Sequence, residues 1–234
     1  MSAFPFDSKK SIEGGFTLVE IAIVLVIIGL LLGGILKGQE MITQARIKNV
    51  INDFNGIVTA ITSYQDRYRA LPGDDKGAAT RWTQAPAAGV NQGNGVVEGA
   101  YNANNTGGAN QAPAGTAESN LFWQHLRIAG FVPGPSAGLG SGTPPPNAAA
   151  GMIGVETGGT TGAAGLGFTT LIICSSNLPD KVAIAVDTQM DDGNSQTGQI
   201  RAQSQTGPSP VTDAAPATVY VETGTSQYLL CRNY

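Results

Sequence analysis

The sequence predicts an α+β fold in which one long N-terminal helix packs on a small antiparallel sheet that carries long Gly-rich loops. Three observations support this class. The 16 residues from Ile21 to Leu36 carry no charge, and apolar residues then recur every three or four positions as far as Tyr68. Short runs rich in β-branched and aromatic residues are confined to the last third of the chain. A chain of 234 residues has room for one soluble domain and an anchor.

The predicted helix has two halves of different character. Residues 16–36 would span about 31 Å as a helix, which is enough to cross the hydrocarbon core of a membrane. Residues 37–71 continue the helix as an amphipathic half, and Pro72 with Gly73 ends it. The whole helix would be about 84 Å long. The acidic residue within the apolar half, Glu20, costs roughly 2.5 kcal/mol or more on insertion scales and therefore needs a functional reason.

The rest of the chain is predicted to consist of short elements between long loops. It is rich in loop formers, since the sequence holds 32 Gly and 13 Pro. Residues 73–117 and 133–165 are predicted as loops, and Glu118–Ala129 as a short helix that ends before Gly130. Five strands are predicted, at Gly167–Cys174, Lys181–Asp187, Gln199–Gln203, Thr218–Glu222 and Ser226–Cys231.

The order of elements at the N-terminus is unusual. A secretory signal peptide has its cleavage site after the apolar stretch. Here the small pair Gly14 and Gly15 lies before that stretch, and Lys9 and Lys10 lie before the pair. The sequence GFTLVE at residues 15–20 resembles the processing site of type IV prepilins and of the related type II secretion pseudopilins. The detailed resemblance covers roughly residues 14–72, and beyond them it is one of layout.

The resemblance implies a processing pathway and a set of partners. A prepilin peptidase would cut between Gly15 and Phe16 and methylate Phe16. The carboxylate of Glu20 would neutralise the terminal amine of a neighbouring pilin or pseudopilin subunit and so set the register of a filament. An inner-membrane assembly platform would be the other partner. The resemblance also implies a pilin-like fold. An uncleaved anchor with a stray glutamate is the alternative for the same residues.

These features divide the chain into four parts: a leader at 1–15, a transmembrane or filament-core half-helix at 16–36, an amphipathic half-helix at 37–71, and a head at 72–234. The positive charges of the leader place the N-terminus in the cytoplasm and the head in the periplasm, with a single pass through the inner membrane. An exported head can form a disulfide between Cys174 and Cys231, and many pilins close a C-terminal loop in this way. Two buried free thiols are the alternative.

Candidate catalytic residues do not form a convincing site, so we predict that the chain is not an enzyme. Gly134–Gly138 matches the G-x-S-x-G pattern around Ser136, but loop residues replace the strand and helix that this motif needs. His125, the only histidine, is predicted to be a partly buried, hydrogen-bonded side chain because no local spacing supplies partners for catalysis or zinc.

Two acidic groups are weak candidates for calcium, and no other cofactor is predicted. One group is Asp187, Asp191 and Asp192, and the other is Asp74 with Asp75. Calcium favours such oxygen-rich loops, but Asp and Asn are also usual in ordinary turns, which we consider the better interpretation.

The predicted function is that of a structural subunit of a type IV pilus or a type II secretion pseudopilus. The alternative is a membrane-anchored adhesin or ligand-binding protein, such as a minor pilin at the tip. The net charge of −4 and the scattered positions of the cations give no basis for nucleic-acid binding. A change at Glu20 separates the two classes, because a filament subunit needs this carboxylate and a simple anchor does not.

Overall fold

The computed structural model describes residues 15, 17–85, 92–103, 117–138, 140–160, 162–216 and 219–234. The chain forms two compact units, Met1–Ile42 and Thr43–Tyr234, and the first helix contributes residues to both. The second unit, which we call the head, contains a four-stranded antiparallel sheet. The predicted α+β class, a long N-terminal helix with a small antiparallel sheet, is confirmed.

Helix α1 covers Leu18–Tyr68, within three residues of the predicted range. In the first unit, every residue from Leu18 to Leu36 is exposed. In the head, α1 buries one face, and the spacing of the buried residues is that of an amphipathic helix. These buried residues are Ile47, Val50, Phe54, Ile57, Ala60, Ile61 and Tyr64.

The sheet has the order β1-β2-β4-β3, with every neighbouring pair antiparallel. Its strands are β1 at Ile153–Thr157, β2 at Leu171–Pro179, β3 at Ile200–Ser204 and β4 at Gln227–Asn233. The last strand of the chain is therefore a central strand, paired with β2 on one side and β3 on the other.

Three shorter helices complete the described elements: α2 at Ala78–Arg81, α3 at Glu118–Ile128 and α4 at Asp180–Met190. Helix α3 contacts β1, whereas α4 contacts β2, β4 and β3. Helix α3 confirms the short helix predicted at 118–129.

The sheet is buried on both faces. On one face, alternate residues such as Ile173 and Leu230 pack with α1, α3 and α4 in the larger core. On the opposite face, which we call the outer face, a smaller core is formed. It contains Tyr101, Leu166, Phe168, Ile172, Cys174, Leu229 and Cys231. Residues from the predicted loops thus cover the outer face of the sheet.

Three of the predicted strands are confirmed with shifted bounds. The strand predicted at Gly167–Cys174 is β2, which begins four residues later because a short 3₁₀ turn occupies Gly165–Gly167. The strands predicted at Gln199–Gln203 and Ser226–Cys231 are β3 and β4.

The strand predicted at Lys181–Asp187 is wrong, because this segment belongs to helix α4. Its alternating valines and isoleucine suit a strand, yet Val182, Ala183 and Val186 are buried together in the larger core. Their spacing of one and three residues places them on one face of a helix.

The strand predicted at Thr218–Glu222 is also wrong over its described part, since residues 219–222 lie outside any strand. The Tyr220 hydroxyl donates to Asp187 at 2.7 Å, and the Val221 amide donates to the Tyr228 hydroxyl at 2.7 Å. Side-chain bonds replace a sheet ladder there. Strand β1 lies in a segment predicted as a loop and was missed.

Candidate functional site

The start of α1 is closed by a reciprocal pair of hydrogen bonds. Thr17 precedes the first helical residue, and its hydroxyl accepts from the Glu20 amide at 3.3 Å. In return, the Glu20 carboxylate accepts from the Thr17 amide at 2.8 Å and from the Thr17 hydroxyl at 2.7 Å. This is a capping box, and it holds the carboxylate at the positive end of the helix dipole. The T-x-x-E spacing at residues 17–20 is the signal in the sequence that points to this cap.

The apolar segment that follows Glu20 is exposed in the single chain. Within the described residues, one helix has a stretch long and apolar enough to cross a membrane, and that stretch has a mean hydropathy of 2.8 and no buried residues. A soluble protein rarely exposes an apolar surface of this extent unless lipid or partner chains cover it. The segment therefore needs a surrounding that the single chain does not supply.

The predicted cleavage site is only partly described. Gly15 is exposed, and a β-carbon built on it would meet nothing within 4 Å. The backbone on this side of the cut is therefore sterically open. Phe16 lies outside the described residues, so its cleavage and methylation stay predictions.

The predicted disulfide between Cys174 and Cys231 is confirmed. The two residues face each other in the register of β2 and β4, with their Cα atoms 4.0 Å apart and a sequence separation of 57. Both are fully buried in the smaller core on the outer face. The bond joins two neighbouring strands and fixes the C-terminal strand to the sheet.

The structure brings the predicted acidic group of the head together. One carboxylate oxygen from each of Asp187, Asp191 and Asp192 lies within 4.8 Å of the others. Burial raises the pKa of the Asp187 carboxyl, whereas a hydrogen bond from Thr197 lowers the pKa of the Asp192 carboxyl.

Hydrogen bonds of the fold already engage these oxygens. Asp187 accepts from the Tyr220 hydroxyl at 2.7 Å, Asp191 from the Ile200 amide at 2.8 Å and Asp192 from the Asn194 amide at 2.8 Å. Such contacts are what turn chemistry requires, and calcium at this cluster stays the weaker of the two interpretations.

The second acidic pair, Asp74 and Asp75, has structural partners. Asp74 accepts the backbone amides of Gly93, Asn94 and Gly95, the last two at 3.2 and 2.6 Å. Both carboxylates are buried. The pair thus anchors the loop after α1, and the structure does not bring it to the first acidic cluster.

His125 is buried and hydrogen-bonded, as predicted. Its Nδ1 accepts from the Gly73 amide at 3.0 Å, and its ring stacks on Tyr64 with centroids 6.2 Å apart. Burial, with the nearby Arg81 charge, lowers the pKa of His125 to about 4. A neutral ring that accepts a backbone hydrogen bond is a packing element of the core. Ser136 lies in the bends between α3 and β1, without the strand and helix that a nucleophile motif needs.

The N-terminal residues match a known family model. The model described as "Prokaryotic N-terminal methylation motif" matches residues 10–36, which include Gly15, Phe16, Glu20 and the apolar segment. Comparisons of the chain with curated proteins and with solved structures give no match. In this matched segment, the structure shows a capped glutamate at the N-terminal end of an exposed apolar helix. The chain therefore carries the N-terminal methylation motif that marks the type IV prepilin and pseudopilin family.

Proposed function

We propose that this protein is a structural subunit of a type IV pilus or of a type II secretion pseudopilus. Prepilin peptidase removes residues 1–15 and methylates Phe16. The mature chain is held in the inner membrane with its head in the periplasm, and an assembly platform moves it into a filament. Its partners there are other pilin or pseudopilin subunits. Members of the prepilin family are structural proteins, and a subunit of this kind needs no catalytic site.

The observation that carries the proposal is the exposed segment Leu18–Leu36 with Glu20 at its start. A bundle of such helices buries the apolar surface that the isolated subunit leaves open. The same bundle places the Glu20 carboxylate in an apolar surrounding, where a positive partner stabilises it. The free amine that cleavage creates on Phe16 of a neighbouring subunit supplies that charge.

The second half of α1 supports the proposal because its buried face packs against the sheet of the head. Seven buried residues between Ile47 and Tyr64 fix this half to the sheet. The fully buried Phe54 and Tyr64 contribute the largest side chains of α1 to that core. Helix α1 thus contributes residues both to the proposed membrane or filament half and to the head.

Mass spectrometry of filaments sheared from the cell surface tests the proposal. We expect a peptide that begins with methylated Phe16. The abundance of that peptide distinguishes a major subunit from a minor one. If only protein that begins with Met1 is found, and all of it in the membrane fraction, the proposal is wrong and the chain is a simple anchor.

Substitutions at Glu20 test the assembly step. Glu20→Ala should impair filament formation and leave cleavage after Gly15 intact. Glu20→Gln keeps an oxygen that can accept from Thr17 but removes the charge, so it separates the capping role from the charge role. Glu40→Ala is the matched control, because Glu40 lies on the same helix and pairs with Lys37 at an exposed position. Normal filaments from both Glu20 variants would contradict the proposed role of this residue.

A further inference from the structure

A polar cleft of about 690 Å³ lies in the head at the C-terminal end of α1. Its lining includes three cationic side chains, Arg69, Lys76 and Arg81. It also includes two carboxylates, Asp74 and Asp75. None of these residues belongs to the apolar segment through which the filament core would form, so the cleft needs an explanation of its own.

Arg81 is held in place within the cleft. Its guanidinium bonds to the Asp75 carboxylate. The same group lies 4.9 Å from the ring centroid of Tyr68 and 5.0 Å from that of Trp82. Cation–π contacts and an ion pair together fix the orientation of a planar donor group. Arg81 is therefore a preorganised cation at the wall of the cleft.

Arg69 and Lys76 are exposed, and neither has a carboxylate partner within the described part of the chain. The two acids that line the cleft are already engaged, since Asp75 pairs with Arg81 and Asp74 accepts three backbone amides. Two cations thus offer their donors to a group from outside the subunit.

The backbone of Arg69 adopts a left-handed conformation, which arginine does not favour. Its φ is 56°, directly after the last residue of α1, at the position where helices often end in a left-handed glycine. A side chain that is kept where glycine would be easier is a reason to look for a role of that side chain. This observation is independent of the charge of the cleft.

The same head also carries a negatively charged surface, where carboxylates rather than cations lack ion-pair partners among the described residues. Asp191 and Asp192 carry no ion pair with any described residue, and their carboxylates lie within 4.8 Å of each other and of Asp187. Asp191 accepts the amide of Ile200, the first residue of β3. We call residues 191–192 the acidic loop.

The chain segments next to the cleft and next to the acidic loop are bonded to different edge strands of the sheet. Strand β3, next to the acidic loop, is one edge strand, and β1 is the other. The chain that follows the cleft is bonded to the end of β1, because Val97 and Thr157 share two hydrogen bonds of 3.0 and 3.1 Å. When one molecule carries two complementary surfaces on different sides, the first surface of one copy binds the second surface of the next. Such heterologous contacts generate open helical filaments where the rotation does not close a ring.

We propose that the cleft around Arg69, Lys76 and Arg81 docks the acidic loop of a second copy of this chain. This inference rests on the proposed filament function and names a contact between heads that fixes their register. The attraction relieves the repulsion among the clustered carboxylates and gives partners to two cations that have none. Charge complementarity of this kind selects the correct neighbour and orientation.

Reciprocal charge reversal in the full-length chain tests the contact. The variants are Arg69→Glu with Lys76→Glu, Asp191→Lys with Asp192→Lys, and the combination of all four, each produced in the host in place of the native chain. The measurement is the ratio of subunit in sheared filaments to subunit in the membrane. We expect each reversal alone to lower this ratio about tenfold, and the combination to restore most of it. Arg67→Glu is the matched control, because Arg67 is an exposed cation two residues before Arg69, in the last turn of α1, that does not line the cleft.

A milder pair of variants guards against misfolding. Arg69→Gly removes the cation and suits the left-handed backbone, so it should lower filament yield without lowering the melting temperature of the head. Ala150→Gly gives the same backbone relief at an exposed position with φ 58° and removes no charge, so it should leave the yield unchanged. A cysteine pair, Lys76→Cys with Asp192→Cys, should produce cross-linked ladders of subunits in filaments.

The outcomes of these experiments distinguish failure of the docking contact from failure of the filament proposal. If either reversal leaves the yield unchanged, if the combination is no better than the single reversals, or if no ladder forms in normal filaments, the docking contact is wrong and the filament proposal stands. If the unaltered chain forms no filaments, both proposals are wrong.

Discussion

Loss of the disulfide should cost the head at least about 4 kcal/mol of unfolding free energy. The bond between Cys174 and Cys231 has a sequence separation of 57. Closing a loop of this length lowers the conformational entropy of the denatured state, which raises the free energy of unfolding by about 4 kcal/mol at 25 °C. Both side chains are fully buried, so Cys174→Ala with Cys231→Ala also loses packing on the outer face. For a unit of this size, the melting temperature should fall by about 8–16 °C.

The loss of unfolding free energy is measured by urea unfolding of residues 43–234, monitored through the fluorescence of Trp82 and Trp123. We expect a lower midpoint and a larger slope m, because the unlinked denatured chain exposes more surface. Leu229→Ala is the matched control: it removes a buried side chain from the same core, at about 2–5 kcal/mol, and leaves m unchanged. If the double alanine variant keeps the wild-type midpoint, or keeps m and loses no more than the control, the entropy argument is refuted.

Three other features of the head are open to direct test: a buried histidine, the acidic cluster and a glycine of β1. Burial lowers the pKa of His125 to about 4 from its ordinary 6.5, so the stability that neutral His125 contributes to the head should be lost as the pH falls from about 6.5 to about 4. Urea unfolding across this range should show the loss in the wild type and not in His125→Gln, and equal pH dependence would contradict the assignment. At the acidic cluster we expect millimolar calcium to leave the melting temperature unchanged, and a rise that Asp192→Asn abolishes would instead identify a calcium site. Gly154→Ala would place a β-carbon 2.1 Å from the Tyr101 carbonyl oxygen and should cost about 1–3 kcal/mol or more, whereas a wild-type melting temperature would show that the loop yields freely.

Helix α1 could be predicted from the sequence because its determinants are local. The uncharged residues after Glu20 and the spacing of Ile47, Val50 and Phe54 are properties of neighbouring residues, and the ends of the helix follow from them. The disulfide was also accessible, because the chain holds two cysteines and the leader predicts export.

The errors arose where tertiary contacts override a local pattern. The segment Lys181–Asp187 alternates like a strand, yet it is part of α4 because one helical face fits the larger core. Strand β1 was hidden among glycines, and one of them, Gly154, is required by the approach of the Tyr101 backbone. No local pattern predicts an approach of residues about 50 positions apart.

The cationic cleft could not be predicted for the same reason. In the sequence, Lys76 and Arg81 are scattered cations without a common motif. They meet Arg69 because α1 ends there and the chain turns back through Gly73, whose φ is 91°. The turn and its anchor on His125 are properties of the folded head.

The position of β4 has a consequence for the time at which the head can fold. Because β4 follows β3 in the chain and is its partner in the sheet, β3 stays unpaired until residues 227–233 have been synthesised. Until then the sheet of the head holds β1 and β2 as one pair and leaves β3 without a strand partner. Only the arrival of the C-terminus joins β2 to β3 and brings Cys231 to Cys174. A product that ends before residue 227 therefore lacks both the central strand and the disulfide that joins it to β2.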